Sequence, residues 1–562
     1  MPSALAACLA AAGFSFALPP MALAQSPGAG NPVDQLPAPQ SGPVQRGNAR
    51  MGIGRAQVPQ PAGPSQAVTP QRFDIEGIKS IPFEEVAALF QPMANQPATV
   101  ADLVEKARQA TAIYQQRGYA LSFVFIPQQT FESGVVRVVA VEGHVATVQI
   151  EGDAGGAEPK IRELAARITQ DKPLRRENFE RYTQIMAQLP GVRVEATATP
   201  PANTDGAGAL VLKVSHQPYS ISLGTDIRSS RLRAVVTGVL NNPLAPGSRL
   251  SASALLGGLK GESYAAGSYS QMVGTEGLNI KGDISTYRGD PDAQLSTPPA
   301  IRRFTTYKRA ELSASYPLVL GQSRSLFVSG GIYGVNNADD YSNLATGTVL
   351  TDDVRVRAVY AQGSYNAARE GQSRNLSGRL VQGMKGLGAS SSIRTNAAGA
   401  VPVNPAKLDF TRLVLDAGQR DTWDKTWGTV VSLNTQYSPD TLPSTERVSY
   451  GSARFGRAYT AGVIAGDSGW GVGLEGNRVF AVDTTYVKRI QPYLLLERAR
   501  VYVHTGTLAF SRLTSASVGA RLSDGMYYTV DVALSKPLDA SFDNPRKNVR
   551  LSTLLTYNFE KK

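Results

Sequence analysis

The sequence predicts a membrane β-barrel of about 16 antiparallel strands, preceded by two tandem α/β modules. Three observations support this prediction. The chain opens with an apolar stretch of small residues that is typical of exported proteins. Residues 71–216 show the helical period of apolar residues in two successive blocks. From residue 217 to residue 562 that period gives way to alternating apolar and polar residues, the pattern of strands with one lipid-facing side.

The export signal is predicted at residues 1–24. This segment ends in Ala22-Leu23-Ala24 before Gln25, a small-x-small cleavage pattern. Cys8, the only cysteine among 562 residues, lies inside it. The mature chain therefore has neither a disulfide framework nor thiolate ligands, and with three histidines in all we expect no metal and no cofactor.

Residues 25–70 are rich in Pro, Gly, Gln and Ser, and they contain too few large apolar residues to offset the entropy of ordering. We expect an arm or linker here. The net charge of +12 is compatible with nucleic-acid binding, but an exported chain does not meet that partner, so we expect none.

The first module is predicted at residues 71–143 as strand, helix, helix, strand, strand. "FDIEGI" reads as the first strand, and "TVADLVEKARQATAIYQQRGY" as a long helix with one apolar face. Thr99 and Asp102 have the spacing of a capping box, and Gly118 occupies the place of a left-handed C-terminal cap. The second module, residues 144–216, repeats the order from "VATVQIEG" to "ALVLKVS".

The barrel is predicted at residues 217–562. Ala310, Leu312 and Ala314 alternate with Glu311 and Ser313, and the same alternation recurs in the last stretch, "NVRLSTLLTYNF". Asp524-Gly525 marks a tight hairpin between two such stretches. A soluble β-sandwich also alternates, but over shorter strands. An exported chain that spans lipid without a helix must satisfy every backbone group, and a closed barrel does so.

Residues 436–470 carry the most specific motifs, "QYSPDTLPSTERVSYGSARFGRAYTAGVIAGDSGW". They resemble a strand and turn, an Arg-Gly-aromatic motif and a Gly-Asp-x-Gly motif of the outer-membrane transporters of two-partner secretion (TpsB type), which export haemolysins and filamentous adhesins. The α/β modules resemble POTRA domains. The positions that match the first motif are Gln436, Tyr437, Ser438, Leu442, Pro443, Ser444 and Glu446.

The resemblance implies that the arginine-bearing loop folds back into the barrel and meets an acid on the inner wall. Arg457 and Tyr459 match the second motif, with Ala458 in place of the usual Gly, and Glu497 in "PYLLLERARVY" stands at the acidic wall position. A guanidinium suits such a lock because it binds a carboxylate through two hydrogen bonds. The third motif is matched by Gly466, Asp467 and Gly469, which we expect to form a tight turn with local hydrogen bonds from Asp467.

The tetrapeptide Gly-Asp-Ser-Gly at 466–469 is also found around the nucleophile of serine proteases. Catalysis would need a histidine base, and His504 is the only histidine in the barrel segment. Trp470 stands where the protease motifs have a second Gly. We therefore expect no enzyme and interpret Ser468 as part of the loop.

The resemblance further implies transport of an unfolded partner exoprotein across the outer membrane of a Gram-negative bacterium, with the modules in the periplasm and no enzymatic activity. The expected partners are the exoprotein client, outer-membrane lipid and the barrel-assembly machinery. The modules offer sheet edges that accept an extended client by β-augmentation. Two alternatives stay open: an outer-membrane protein insertase of the same superfamily, and a passive porin. Many members of the family carry a plug helix near the N-terminus, whereas the composition of residues 25–60 favours an arm. The identity of the client is not encoded in these patterns.

Overall fold

The structure, a computed structural model, describes residues 33, 36, 50–54, 64–226, 233–256, 261–291, 301–397, 404–424, 426–452, 454–508, 510–541 and 544–559. The predicted signal segment and most of the predicted arm lie outside these residues. The helices are α1 Phe83–Phe90, α2 Val100–Gln116, α3 Glu158–Thr169 and α4 Arg176–Ala187. The strands before the barrel are β1 Arg50–Ile53, β2 Ala67–Val68, β3 Arg72–Glu76, β4 Ala98–Thr99, β5 Phe123–Phe125, β6 Val135–Val141, β7 His144–Asp153, β8 Val192–Thr199 and β9 Ala207–His216.

The first module is a three-stranded sheet in the order β3-β6-β5, covered by α1 and α2. Thr99 and Asp102 form the predicted capping box, with each side chain bonded to the other residue's backbone N–H. Gly118 has φ +88°, as the predicted C-terminal cap requires. The core is apolar and is centred on Phe90, Leu103 and Tyr114.

A half-buried carboxylate fixes the end of the first module. Glu142 accepts hydrogen bonds from the backbone N–H groups of Lys79 (2.8 Å) and Ser80 (2.7 Å), from the Ser80 hydroxyl (2.7 Å) and from the Tyr114 hydroxyl (3.1 Å). Burial disfavours the charged form, but these bonds outweigh it and lower the pKa of the Glu142 carboxyl. Glu142 therefore ties the loop before α1 to the end of β6.

The second module has a four-stranded sheet in the order β1-β8-β9-β7, with α3 and α4 packed on one face. β7 and β9 are parallel, and β8 and β9 are antiparallel. The additional edge strand, β1, comes from the predicted arm and pairs in parallel with β8, from Arg50 opposite Glu195 to Ile53 opposite Ala198. Four residues of the predicted arm or linker are thus part of this sheet.

The rest of the chain forms the barrel. Its strands and the inner hairpin β22-β23 are β10 Tyr219–Asp226, β11 Arg233–Asn241, β12 Ser248–Leu256, β13 Ser263–Val273, β14 Leu278–Gly289, β15 Ile301–Leu320, β16 Arg324–Asn343, β17 Val349–Arg369, β18 Gln372–Gly383, β19 Ser390–Thr395, β20 Thr411–Thr422, β21 Trp427–Tyr437, β22 Val448–Tyr450, β23 Ile464–Gly466, β24 Ser468–Arg478, β25 Phe480–Ala481, β26 Arg489–Tyr502, β27 Arg512–Ser523, β28 Tyr528–Pro537 and β29 Arg550–Asn558. β18 and β19 both pair with β17, and β24 and β25 both pair with β26, so each pair forms one interrupted wall strand.

Sixteen wall strands result, and β10 closes the barrel by antiparallel pairing with β29. The predicted fold class and strand number are therefore confirmed. Along β15, Leu312 is 56% exposed on the outer face, whereas Glu311 beside it is bonded inside the barrel to Tyr360. Asp524 accepts hydrogen bonds from the N–H groups of the predicted hairpin, where Gly525 has φ +80°. No helix in the described ranges has the length and apolar character needed to cross a membrane.

The second module docks on one end of the barrel. Met272 from β13 is buried in the core of that module. In the turn after β13, Glu276 accepts a hydrogen bond from the Tyr182 hydroxyl (2.9 Å) and forms an ion pair with Arg181 (3.4 Å). The Arg181 guanidinium also bonds to the Tyr316 hydroxyl at 3.1 Å. Apolar packing and this polar cluster together set where the module stands relative to the pore.

We expect Glu142→Ala to lower the stability of the first module by about 1–2 kcal/mol at pH 7, because the Tyr114 hydroxyl and two N–H groups lose their acceptor. Since the pKa of Glu142 is lowered by folding, its contribution is present above the pKa of the unfolded chain and is lost as the pH falls through the pKa of the folded state. Hydrogen exchange of the module's amides in the full chain measures both effects.

The matched control is Glu132→Ala, which removes an exposed carboxylate from the same module. Equal exchange rates in the two variants, or an acid-dependent loss of protection that persists unchanged in Glu142→Gln, would contradict the role of Glu142.

Candidate functional site in the barrel lumen

The segment at 438–467 connects β21 to β24 and folds back into the barrel. Inside, β22 and β23 form a short hairpin whose residues are all buried. Tyr450 and Tyr459 from this segment are 0% and 1% exposed and pack against Ala499 and Leu513 of the wall. The segment, called here the lumen loop, is therefore a packed part of the pore interior, as the resemblance implies.

Arg457 lies near the tip of the lumen loop. Its Nη2 is 2.8 Å from Oδ2 of Asp531, and its Nη1 donates to the Tyr493 hydroxyl. That hydroxyl donates in turn to Oδ1 of Asp531 at 2.7 Å. The Arg457 side chain is only 9% exposed. Loop and wall are thus joined by a largely desolvated, charge-assisted network.

Glu497 has a different role from the one predicted. Its Oε2 accepts the backbone N–H of Arg457 at 2.8 Å and the Ser515 hydroxyl at 3.0 Å, while the guanidinium passes on to Asp531. The prediction that Glu497 pairs with the guanidinium is therefore wrong. The long glutamate side chain already reaches the loop backbone, and the arginine side chain extends past Tyr493 to β28. The sequence held no signal for Asp531 beyond its inward position in the β28 alternation.

Tyr459 anchors the loop a second time. Its hydroxyl contacts the carbonyl oxygens of Thr514 (2.8 Å) and Asp539 (2.9 Å), and it accepts the Asp539 N–H at 3.1 Å. Ala458, which replaces the usual Gly, is fully buried in the same cluster and does not adopt a positive φ. The exchange of Gly for Ala therefore needs no strained backbone here.

Asp467 is a buried connector and not a local turn residue, so that prediction is also wrong. Its Oδ1 accepts from the Leu442 N–H (2.9 Å) and Arg447 Nε (3.1 Å), and its Oδ2 accepts from the His504 N–H (2.9 Å). The side chain is fully buried. One carboxylate thus ties together both ends of the lumen loop and the loop after β26.

Gly466 and Gly469 flank this connector where the chain re-enters the wall between β23 and β24, and neither has a positive φ. A Cβ on Gly466 would lie 2.5 Å from the carbonyl oxygen of Tyr502, and one on Gly469 would lie 2.8 Å from that of Arg500. These glycines permit close packing of backbones on β26, where a tight turn was predicted.

The residues of the strand and turn motif hold the base of the loop. The Gln436 amide donates to the carbonyls of Glu446 (3.0 Å) and Asp467 (3.1 Å). The Ser438 hydroxyl bonds to the carbonyls of Thr411 and Asp440. The other residues of this motif lie on both sides of the wall. Tyr437 is exposed on the outer face, and Leu442 is buried in the lumen. Pro443 precedes a single 3-10 turn, Ser444–Glu446.

Glu446 binds a different part of the pore wall from Arg457. Its carboxylate is 2.7 Å from Arg412 Nη2 on β20 and accepts the Tyr333 hydroxyl on β16 at 2.8 Å. The side chain is 2% exposed. Two charged residues, Glu446 and Arg457, therefore hold the lumen loop at separate places on the wall, in addition to the contacts of Tyr459. Sequence patterns alone did not reveal the partners Tyr333 and Arg412.

The Ser468 hydroxyl bonds to the backbone of Ser438 and not to a histidine base. Its hydroxyl accepts the Ser438 N–H (3.0 Å) and donates to the Ser438 carbonyl (3.2 Å). The His504 ring contacts that same carbonyl at 2.8 Å, and Asp467 pairs with Arg447 instead of the ring. Among the residues that the structure describes, no cluster of His, Cys, Asp and Glu could hold a metal ion.

Part of the arm also lies in the pore. Leu36 is 7% exposed and packs in the same lumen cluster as Tyr333 and Leu442, with Val33 against it. The remaining residues up to 49 lie outside the described ranges. The predicted plug helix or irregular arm falls on these residues.

Comparisons with known proteins agree with this architecture. The family description "POTRA domain, ShlB-type" matches residues 68–143. The heme/hemopexin transporter protein HuxB of Haemophilus influenzae (strain 86-028NP) is 19% identical over 488 residues, which are 83% of this chain and 82% of that protein. The outer membrane transporter CdiB of Escherichia coli O6:K15:H31 (strain 536 / UPEC) is 24% identical over 415 residues, 71% of this chain and 67% of that protein. The solved structure of CdiB from Escherichia coli has a TM-score of 0.65 at 17% identity and covers 90% of this chain and 93% of that one.

Two α/β modules joined to a closed barrel with an arginine-fixed inner loop define a POTRA-bearing outer-membrane β-barrel. Within that class the chain is a relative of the TpsB transporters of two-partner secretion, so the resemblance inferred from residues 436–470 is confirmed. The relatives are named as transporters and not as enzymes.

We expect Asp531→Asn to loosen the tip of the lumen loop by about 1.5–3 kcal/mol, because the Arg457 guanidinium loses its charged acceptor. Glu497→Gln keeps an acceptor for the Arg457 N–H and should have a smaller effect. Labelling of the variant Ala461→Cys reports loop exposure, since the predicted mature chain has no other thiol. Labelling should be about ten- to a hundredfold faster with Asp531→Asn and nearly unchanged with Glu497→Gln. The reverse order would show that Glu497 carries the lock.

Proposed function

We propose that this chain transports an unfolded partner exoprotein across the outer membrane of a Gram-negative bacterium, with its two modules in the periplasm. The observation that carries the proposal is a closed barrel whose pore holds a loop fixed to the wall by charged groups. The barrel is joined to a module whose β8 edge is covered only by the four-residue strand β1. A translocation pore needs such an arrangement, because it must be sealed at rest and must also receive its client.

The client-binding mode follows from β1. Four arm residues already pair in parallel with β8 at the edge of the second module's sheet. Backbone hydrogen bonds of this kind require little sequence similarity, so an extended client segment can bind the same edge. β1 is short and half exposed, and the ion pair between Arg50 and Glu195 is at the surface and adds little. The arm therefore occupies the edge as a weak, replaceable strand.

Outer-membrane lipid surrounds the apolar outer face of the barrel, and insertion there requires the barrel-assembly machinery. The partner class is an adhesin-type or haemolysin-type exoprotein, and the chain itself has no enzymatic role. Folding of the client outside the cell supplies the driving force, since the sequence contains no nucleotide-binding motif.

An insertase of the same superfamily is the second candidate, because the fold is shared. The relatives named as transporters favour secretion. Depletion of the chain distinguishes the two: loss of one exoprotein from the medium supports secretion, and loss of many barrel proteins from the membrane supports insertion. A passive porin does not require the modules, and it has no client whose export depends on Arg457.

We expect Arg457→Ala to reduce secretion of the partner exoprotein at least tenfold, because the loop loses its defined position in the pore. A cost of about 3–5 kcal/mol is typical when one partner of a buried ion pair is removed. Immunodetection of the exoprotein in the medium measures the effect. Arg498→Ala, on the outward face of β26, is the matched control. Unchanged secretion with a folded Arg457→Ala barrel would contradict the lock.

Replacement of residues 50–53 by a Gly-Ser segment of equal length should strengthen binding of an exoprotein segment to the second module about tenfold, if β1 occupies the edge about nine-tenths of the time. Fluorescence anisotropy with a labelled segment and the full chain in detergent measures the affinity. The same replacement at residues 64–66, next to the first module, is the control. Weaker or unaltered binding would show that the client does not use the β8 edge.

A further inference from the structure

The wall residues that hold the Glu446 side chain form a site that binds a carboxylate. It is formed by Arg412 and Tyr333, which contact the carboxylate at 2.7 and 2.8 Å, and it is called here the Glu446 seat. Two further cations flank it: the guanidinium of Arg309 lies 4.2 Å from the centroid of the Tyr333 ring, and that of Arg379 lies 5.9 Å from it. Only Glu446 comes from the loop, and the other four residues belong to wall strands.

The charges around the seat are unequal. Three arginines face two carboxylates, Glu446 and Glu311, and Glu311 is already shared between Arg309 at 2.6 Å and Arg379 at 3.8 Å. In addition, the Nε atoms of Arg379 and Arg412 are buried and have no hydrogen-bond partner in the described part of the chain. If Glu446 leaves with the loop, the seat keeps an excess of positive charge and unfilled donors.

We infer that the Glu446 seat is a carboxylate-binding site for the passing polypeptide, in which an acidic side chain of the client takes the place of Glu446 when the lumen loop withdraws. This inference rests on the proposed function. A buried arginine left unpaired is costly, and a replacement carboxylate removes that cost. The planar guanidinium of Arg412 binds any carboxylate with the same geometry, whichever chain carries it. The loop glutamate and client acids therefore compete for one site.

The competition can be measured by single-channel recording of the full chain in planar bilayers. The probes are an extended peptide of alternating Glu and Ser and the same peptide with Gln in place of Glu, added on the side of the modules. Glu446→Ala vacates the seat, so the acidic peptide should block this variant about tenfold more strongly than it blocks the wild-type pore. The Gln peptide should block both pores equally. Adding Arg412→Gln to Glu446→Ala should abolish the preference for the acidic peptide.

Glu475→Ala is the matched control, because Glu475 is also a lumen carboxylate paired with an arginine, Arg521, but belongs to the wall. An equal gain of acidic block in Glu475→Ala, or a preference that survives Arg412→Gln, would overturn the inference and indicate a general charge effect. If Glu446→Ala does not assemble, Glu446→Gln keeps the side-chain shape and should give a smaller gain in the same direction; no gain overturns the inference.

Secretion in the same strains separates this inference from the proposed function. Normal export without any acidic preference contradicts the seat alone. An acid-selective pore in cells that export no exoprotein contradicts the transport function and leaves the seat as an anion site of a channel.

Discussion

Closure of the sheet is the constraint on which the other features depend. Pairing of β10 with β29 removes both edges, so every wall strand can span lipid with its backbone groups bonded. Closure also fixes the side-chain pattern, because alternate residues must face either lipid or the pore, as Leu312 and Glu311 do. A barrel of sixteen strands encloses a space that side chains of the wall alone do not fill. The chain fills it with its own loop and with a piece of its arm.

Buried ion pairs fix the position of the lumen loop inside the pore. A polar pore would let water compete for each ion pair, yet the pairs of Arg457, Glu446 and Arg447 are all more than nine-tenths buried on the loop side. Burial makes these pairs strong when intact and costly when one member is removed, without making them large net contributions to stability. Such contacts give the loop one defined position and a high barrier to partial opening. Apolar packing around Tyr450 and Tyr459 then excludes water from the same region.

Patterns that repeat along the chain could be predicted, and contacts between distant strands could not. The capping box of Thr99 and the outward face of β15 follow from local spacing, which the sequence displays directly. The Arg457 side chain reaches Asp531 on β28, which no local pattern indicates. Glu497 on β26, although nearer in sequence, accepts the Arg457 backbone N–H instead. β1 was missed because four residues in a segment rich in Pro and Gly show no periodicity, and only the free edge of β8 gives them a structure.

Three parts of the chain lie on the proposed route of the client, and each makes one type of contact there. β1 covers a sheet edge, Leu36 fills an apolar place in the pore, and Glu446 pairs with a wall arginine. Each position would be unfavourable if left empty, because it would expose unpaired backbone groups, apolar surface or a buried charge. Under the proposed function, opening would therefore cost least when a polypeptide supplies the same type of contact in exchange. A chain that offers backbone, apolar and acidic groups in turn is an unfolded protein, whereas small solutes offer at most one of them. In the proposed mechanism, the contacts that seal the resting pore are the same ones that would select a polypeptide over small solutes.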